Sequence, residues 1–323
     1  MTRYIRDTVI LGKIETTYGA DALATGAANA MQVSNVRITP LNAQFVSRDL
    51  LRNYFGISEQ LMASFNKLVT FDIEAVGSGT VGTAPAWGAM VRACGFQQVE
   101  VALERVTYTP VTNGQESATL CVYDSGVLHK LLGARGAITS AAMLGNIPTL
   151  SFAFVGLDGG DSAALPSGVS FAAFQLPQVV QDAFTGDLTL GGTLSASSVP
   201  AITGGTSYPS TGLEIDMGIK AEHIPLLGQE SVDITDRQAK GKIKLFATAV
   251  QEVAFYATIK AGTTQSVGLI HGTVVGRRFG MFAPAAQIIT PAKDEQSGKR
   301  MMGYDLVLSP VAGNDEVQLI TSF

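Results

Sequence analysis

Residues 77–82 read GSGTVG, and Gly77, Gly79 and Gly82 have the spacing of a loop that cradles a dinucleotide pyrophosphate. That chemistry needs a strand buried on both faces before the glycines, a crossover helix after them, and an acid about 20 residues on for the ribose. Glu100 and Glu104 stand near that distance. The run before the glycines, VTFDIEAV, instead alternates Val69, Phe71, Ile73 and Ala75 with Thr70, Asp72 and Glu74, the pattern of an antiparallel strand with one dry face. After them, Thr83 is a candidate cap and Pro85 a candidate first helical residue, and Gly95 ends the segment, which leaves a helix of only about ten residues. The following segments read as hairpins without further βα repeats. We therefore read the glycines as a strand-to-helix bend packed beside Trp87, the only Trp, which anchors the short helix in a core.

The other residues able to do chemistry form no complete constellation. His129, His223 and His271 each lack a His or Cys three to five residues away. Asp158 and Asp161 in GLDGGDS lack the alternating acids and closing Glu of an EF-hand loop and read as a Gly-rich turn. Asp233, Asp236 and Arg237 in VDITDR read as a strand end that fixes a turn or an interface, and Asp315 and Glu316 as a turn before the last strand. There is no Gly-x-Ser-x-Gly elbow and no Walker pattern. No catalytic, cofactor-binding or metal-binding residue is expected.

Positioning these residues takes a chain of 323 residues, about two domains' worth of length. After Leu11 the first thirty residues are rich in Ala, Thr and Gly and read as an arm, residues 1–28, that needs a partner to become ordered. Strand-like runs follow in MQVSNVRITPL, VTFDIEAV, VEVALERVTYTPV, ATLCVYDSGVLHKLL and TLSFAFVGL, each closed by turn residues. Residues 48–67 show no strand alternation and read as a long connection. The chain turns loop-rich from Gly156 to Gly212, including SASSVPAITGGTSYPSTG, and we place a boundary near residue 165, giving domains 1–165 and 166–323. Strands resume in GLEIDMGI, ESVDITDR, GKIKLFATAV, QIITP, YDLVLSP and GNDEVQLITSF, with a helical stretch in AVQEVAFYATI. The order strand, helix, further strands recurs in the two halves, which reads as an internal duplication.

Composition sets further bounds. Only 15% of residues are charged, against roughly a quarter in an average soluble domain, as expected of a surface covered by other copies. The net charge is −5 and no basic run occurs, which argues against gripping nucleic acid by its phosphates. The apolar part of the N-terminus is too short for a signal peptide, and no stretch reaches the roughly 18 apolar residues of a membrane helix. Cys94 and Cys121 form no close pair, so a cytosolic product with free, buried thiols is expected.

Taken together, KIETTYGADALATGAANAMQVSNVRITPL, VSRDLLRNYFG, VTFDIEAVGSGTVGTAPAWGAMVRACGF, GVLHKLLGARGAI and GNIPTLSFAFVGL resemble the tail tube, or major tail, proteins of long-tailed bacteriophages. GLEIDMG, ESVDITDR, LIHGTVVGRRFGMFAPAAQIITP and GNDEVQL extend the resemblance over nearly the whole chain, and GTAPAWGAMVRACGF is its most specific piece. Arg277 and Arg278 depart from the pattern, where a less charged turn is expected.

The resemblance implies a mainly β fold: two tandem β-sandwich or barrel-like tube domains, each with a flanking short helix, whose copies close into a ring around a β-lined channel. It implies a structural virion protein made in the host bacterial cytoplasm, no enzyme, whose rings stack into the tail tube through which the genome is ejected. Partners would be other copies, as a pseudo-hexameric trimer or a hexamer, the tape-measure protein, and the tail terminator and tip proteins. DNA would pass without specific binding, along polar, partly acidic strand faces such as TFDIE and LEIDMG. The connection 48–67 would stack on the next ring, and the N-terminal arm would do a related job. The alternative is a receptor- or carbohydrate-binding β-sandwich module of the tail tip or capsid, which needs an aromatic-rich exposed groove.

Overall fold

The computed structural model describes residues 3–195, 197 and 199–323. The first two residues of the expected arm, and positions 196 and 198 of the Ser-rich stretch, lie outside the described residues. In the first half the chain forms β1 (Thr8–Ile14), the single-turn α1 (Gly26–Asn29), β2 (Ala30–Met31), β3 (Ser34–Ser47) and β4 (Gln60–Glu74). Then come α2 (Gly88–Ala93), β5 (Phe96–Val101), β6 (Arg105–Pro110), β7 (Ala118–Asp124), β8 (Val127–Met143) and β9 (Thr149–Ala163). The second half opens with β10 (Leu188–Leu190), β11 (Thr193–Leu194), β12 (Ile202–Thr203), β13 (Thr206–Tyr208) and β14 (Ser210–Asp216). It continues with β15 (Ile219–Leu226), β16 (Gln229–Arg237), β17 (Lys240–Leu245), α3 (Ala249–Ala261), β18 (Thr264–His271), β19 (Phe279–Gln296), β20 (Lys299–Leu308) and β21 (Gln318–Thr321).

Strands dominate, at 53% against 7% helix, and among the described residues the sheets form no closed barrel. The hydrogen-bonded ladder of the first half runs β1–β7–β8–β9–β4–β3, with β2 beside β1. That of the second half runs β10–β18–β19–β20–β17–β14, with β13 beside β10. The two orders match strand for strand. A helix follows the matching strands β4 and β17 in both. The halves are joined where β14 pairs with β8, from Gly212↔Met143 to Asp216↔Thr139, and where β21 pairs with β6.

The first of these joints makes a continuous antiparallel run, β3–β4–β9–β8–β14–β17–β20–β19. Side chains alternate across a strand, so each strand gives one set to the core. Val69, Phe71 and Ile73, then Phe152 and Phe154, then Leu213 and Ile215, then Tyr304, Leu306 and Leu308 form one buried cluster that spans both halves. The intervening Thr70, Asp72, Glu74, Ser151, Glu214, Asp216, Lys242 and Asp305 lie on the opposite face.

Two segments differ from expectation in extent or order. The N-terminal arm is tied down over residues 8–14: β1 pairs with β7 along its length, and Ile10 and Leu11 are 0% and 2% exposed. Its short apolar run is cut by Gly12, where an added Cβ would crowd the Met90 side chain. The connection expected over 48–67 shortens to 48–59, because β4 begins at Gln60 and pairs with β3 up to Ser47↔Gln60.

The helices form where local chemistry allows. Thr248 caps α3 through a reciprocal capping box with Gln251, and Gly262 closes it at φ 65°. In α2, Thr83 is not the cap; Trp87 occupies that position without a side-chain bond, and Gly95 terminates the turn at φ 78° as expected.

Candidate assembly surfaces

The GSGTVG glycines bind backbone. Gly77 N–H donates to the Arg277 carbonyl at 3.3 Å, Gly79 N–H to the Gly276 carbonyl at 3.0 Å and Gly82 N–H to the Ser322 carbonyl at 2.9 Å. A Cβ on Gly77 would overlap the Gly276 carbonyl oxygen. The segment is thus a seam between the halves, and the departing loop around Arg277 and Arg278 is its mate. Beside it Trp87 donates from Nε1 to the Val76 carbonyl at 2.8 Å and packs 5.5 Å from Tyr108 and 6.4 Å from Phe279. Glu100 accepts from Gln98 at 2.7 Å and Glu104 pairs with Arg105 at 3.2 Å.

The polar residues singled out in the sequence become braces. Asp158 and Asp161 lie within β9 at a register shift in its pairing with β8, where the Gly160 amide donates to Asp158 Oδ1 at 2.9 Å, and both receive the ammonium of buried Lys67, at 2.5 and 2.7 Å. His129 Nδ1 lies 2.7 Å from Asp161. Burial alone would raise the Asp161 carboxyl, but the bonds from Lys67 and His129 outweigh it and hold it below the usual carboxylate range. His271 bonds Thr185 and the Gln178 carbonyl, and its burial pushes its pKa down. His223 lies 3.8 Å from Glu230 across the β15–β16 hairpin. Cys94 and Cys121 are buried and free, and burial raises both thiols.

VDITDR and GNDE, far apart in sequence, meet. Arg237 pairs with Glu316 and also donates to the Val111 carbonyl at 3.1 Å and to Asn314 Oδ1 at 3.1 Å. Asp315 accepts from the Val311 and Ala312 amides, so it fixes the turn before β21. Asp233 takes Arg135 at 2.6 Å, and Arg135 Nη1 also donates to the Val232 carbonyl at 2.7 Å. Tyr18 accepts from the Val232 amide at 2.6 Å and lies under the Arg135 guanidinium at 4.9 Å. These contacts clamp β15–β16 onto the first half.

Among the described residues, three surfaces bear on assembly. The first is the tip of the β3–β4 hairpin. β9 supports β4 only from Lys67 to Glu74, so the hairpin beyond it is paired with itself alone. Its tip presents Leu51, Phe55 and Ile57 at 101%, 107% and 85% exposure, stiffened by Arg48–Glu59 at 2.5 Å and Arg52 over the Tyr54 ring. Large exposed apolar clusters of this kind mark contact sites. The second is the polar face of the continuous sheet. Asp72, Glu74, Glu214 and Asp216 share it, as the acid-bearing strands TFDIE and LEIDMG suggest, and burial raises the Glu74 carboxyl. It also carries lysines the acidic-wall reading left out. Lys242 stands in register between Glu214 and Asp305, so its charge has acids on both flanks.

The third surface is the pair of open edges. Among the described residues, only β4 pairs with β3, and β19 beyond Gln287 is paired only on its β20 side. Unpaired edges are templates for another strand. The edges could not be found by residue type, since an exposed edge and a core strand have similar composition, whereas the tip falls inside the 48–67 connection that the resemblance assigns to stacking.

A sequence profile described as Phage tail tube protein matches residues 5–299. No curated protein matches the chain.

Proposed function

Because the chain belongs to the phage tail tube protein family, we propose that its copies close into rings that stack into the conduit for genome ejection. It is a structural protein of the virion tail and assembles with copies of itself into a tube. The observation that carries the ring reading is the continuous β3-to-β19 sheet, which has a dry face, a polar face and two open edges. A sheet of that form curves by its own twist, and joining its edges between copies removes both of them.

In this reading the polar face lines the channel. Its acids repel the polyanion and flank the lysines, which keeps phosphate contacts weak. The matching ladders support a duplicated tube domain in each chain, divided near residue 165, so three chains supply six repeats and close a pseudo-six-fold ring. The hairpin tip stacks onto the next ring. The tape-measure protein occupies the channel during assembly, and terminator and tip proteins cover the tube's ends. The chain has no catalytic role, a reading supported by the brace-like pairing of its polar residues.

Negative-stain electron microscopy of the purified protein tests this. Tubes of stacked rings are expected, and discrete monomers at high concentration would overturn it. The N-terminal arm needs a different test from simple removal, because deleting residues 2–27 takes away β1 and its core residues Ile10 and Leu11.

A further inference from the structure

The joint between the two halves of one chain is a template for the joint between two chains. In the first half β7 covers β8 up to Ala134, and on that same side β14 takes over at Thr139–Met143. In the second half β18 covers β19 up to Gln287, and that side of β19 then stays open to Gln296. Thr139 is the fifth residue beyond Ala134 and Ala292 is the fifth beyond Gln287, so residues 292–296 of β19 occupy the place that 139–143 hold in β8.

The strand that fills the place can be matched in the same way. The buried alternation Gly241, Ile243, Leu245 in β17 matches Val69, Phe71, Ile73 in β4. The pairs Ile215↔Gly241 and Asp216↔Lys240 therefore correspond to Ile38↔Val69 and Thr39↔Leu68. This sets the β14 segment 212–216, GLEID, against the β3 segment 35–39, NVRIT. Both begin on a residue with positive φ, Gly212 at 121° and Asn35 at 52°. They differ in burial. Leu213 and Ile215 are 0% exposed inside their joint, whereas Val36 and Ile38 are only half-buried on an open edge.

We infer that β3 residues 35–39 of one copy pair antiparallel with β19 residues 292–296 of the next copy of this chain, reproducing the internal β14–β8 joint. The inference rests on the ring reading above and gives it a register. Thr39 then faces Ala292, Arg37 faces Asp294 and Asn35 faces Gln296, with Ile38 and Val36 on the other face, opposite Lys293 and Glu295 and beside α3. Opposite charges face each other at Arg37 and Asp294, which also pairs with Lys244 in its own chain, and a shift of one residue either way would turn Val36 and Ile38 to the other face. The two edges are different surfaces, so the contact is head-to-tail, and it closes a ring when the rotation per copy allows. Beside the open β19 edge, α3 carries Val250 and Val253 at 81% and 67% exposure and is tied to β19 by Glu252–Lys293 at 3.1 Å. Its counterpart α2 buries Gly88, Met90, Val91 and Ala93. The second half is thus unfinished on the side where the next copy would sit.

The test combines Arg37→Cys and Asp294→Cys in one full-length chain, assembled and then oxidised; the native thiols are buried. Covalent oligomers ending in a closed ring are expected, with none from either single variant and a marked loss of yield for the off-register pair Gln44→Cys and Asp294→Cys. Hydrogen exchange on the unmodified protein gives a second readout: amides of 35–39 and 292–296 should gain protection on assembly. Intact tubes with neither cross-link nor protection would overturn the joint alone. Self-linking of the Arg37→Cys variant would also overturn it, as a two-fold edge contact. Absence of any tubes from the wild-type chain would count against the tube reading and the joint together.

Discussion

The two long hairpins extend from matching strand pairs, one as the outer part of β3–β4 and the other as β15–β16 inserted between β14 and β17, and their bodies behave in opposite ways. The β15–β16 hairpin lies over β8 and β9 of its own chain, held by Arg135, Tyr18 and Arg237, and Val232 within it is fully buried. The β3–β4 hairpin leaves the sheet beyond Lys67 and ends in a bare apolar tip. The body of β15–β16 is packed on its own chain, although its tip leaves Leu226 and Leu227 at 62% and 107% exposure, whereas the outer half of β3–β4 has no support at all beyond its own pairing. A monomer gains nothing from a stiffened apolar tip in water, so the difference points to a partner for the first hairpin.

The largest effect should come from the tip itself. Leu51→Ser, Phe55→Ser and Ile57→Ser together remove anchors worth on the order of 5 kcal/mol per hairpin when buried. Electron microscopy should show loss of long tubes, while the thermal midpoint of the monomer stays nearly unchanged, as for exposed positions generally. A large drop in that midpoint would mean that the tip belongs to the monomer's own fold.

The second hairpin should respond in the reverse sense. Arg237→Ala leaves Glu316, which is only 6% exposed, without its cation, and should cost about 3–5 kcal/mol of stability in urea titration. Gly95→Ala should cost less, about 1–2 kcal/mol, because Gly95 sits at φ 78° and its new Cβ would stand 3.1 Å from Ile234 Cδ1 of that hairpin. If either change left stability alone but shortened tubes, the contrast between the hairpins would fail.

The smallest effect is the pH response at the root of the first hairpin. Asp161 has a folded pKa below its unfolded one, so its contribution is full above the unfolded value and disappears as pH falls through the folded value. Both carboxylates of this brace are partly exposed, which limits the pair to less than about 1 kcal/mol. The stability gap between wild type and Asp161→Asn should therefore narrow as urea midpoints are followed from pH 5 to pH 3. A gap that widened toward acid would contradict the pairing with Lys67.

Much of this was legible in the sequence where one face of an element is dry. VTFDIEAV shows its alternation because Val69, Phe71 and Ile73 face the core and Thr70 and Asp72 do not. The part of β4 ahead of it, QLMASF, is exposed or half-exposed throughout, so no alternation marks it as a strand. β1 hid for another reason: its apolar run is short, and only pairing with β7, more than a hundred residues away, shows it to be a core strand. GSGTVG could be stripped of its cofactor reading from the strand before it and the helix after it. Its partners at Gly276, Arg277 and Ser322 follow only from the tertiary seam. The open edges left the weakest trace, since they are made of the same residues as finished ones.

The most direct test is a cryo-electron microscopy reconstruction of assembled tubes that resolves both hairpins. The account predicts residues 48–59 seated on a copy in the neighbouring ring, with the β15–β16 hairpin still packed on its own chain. A tube in which the 48–59 tip stands free in solvent would contradict it.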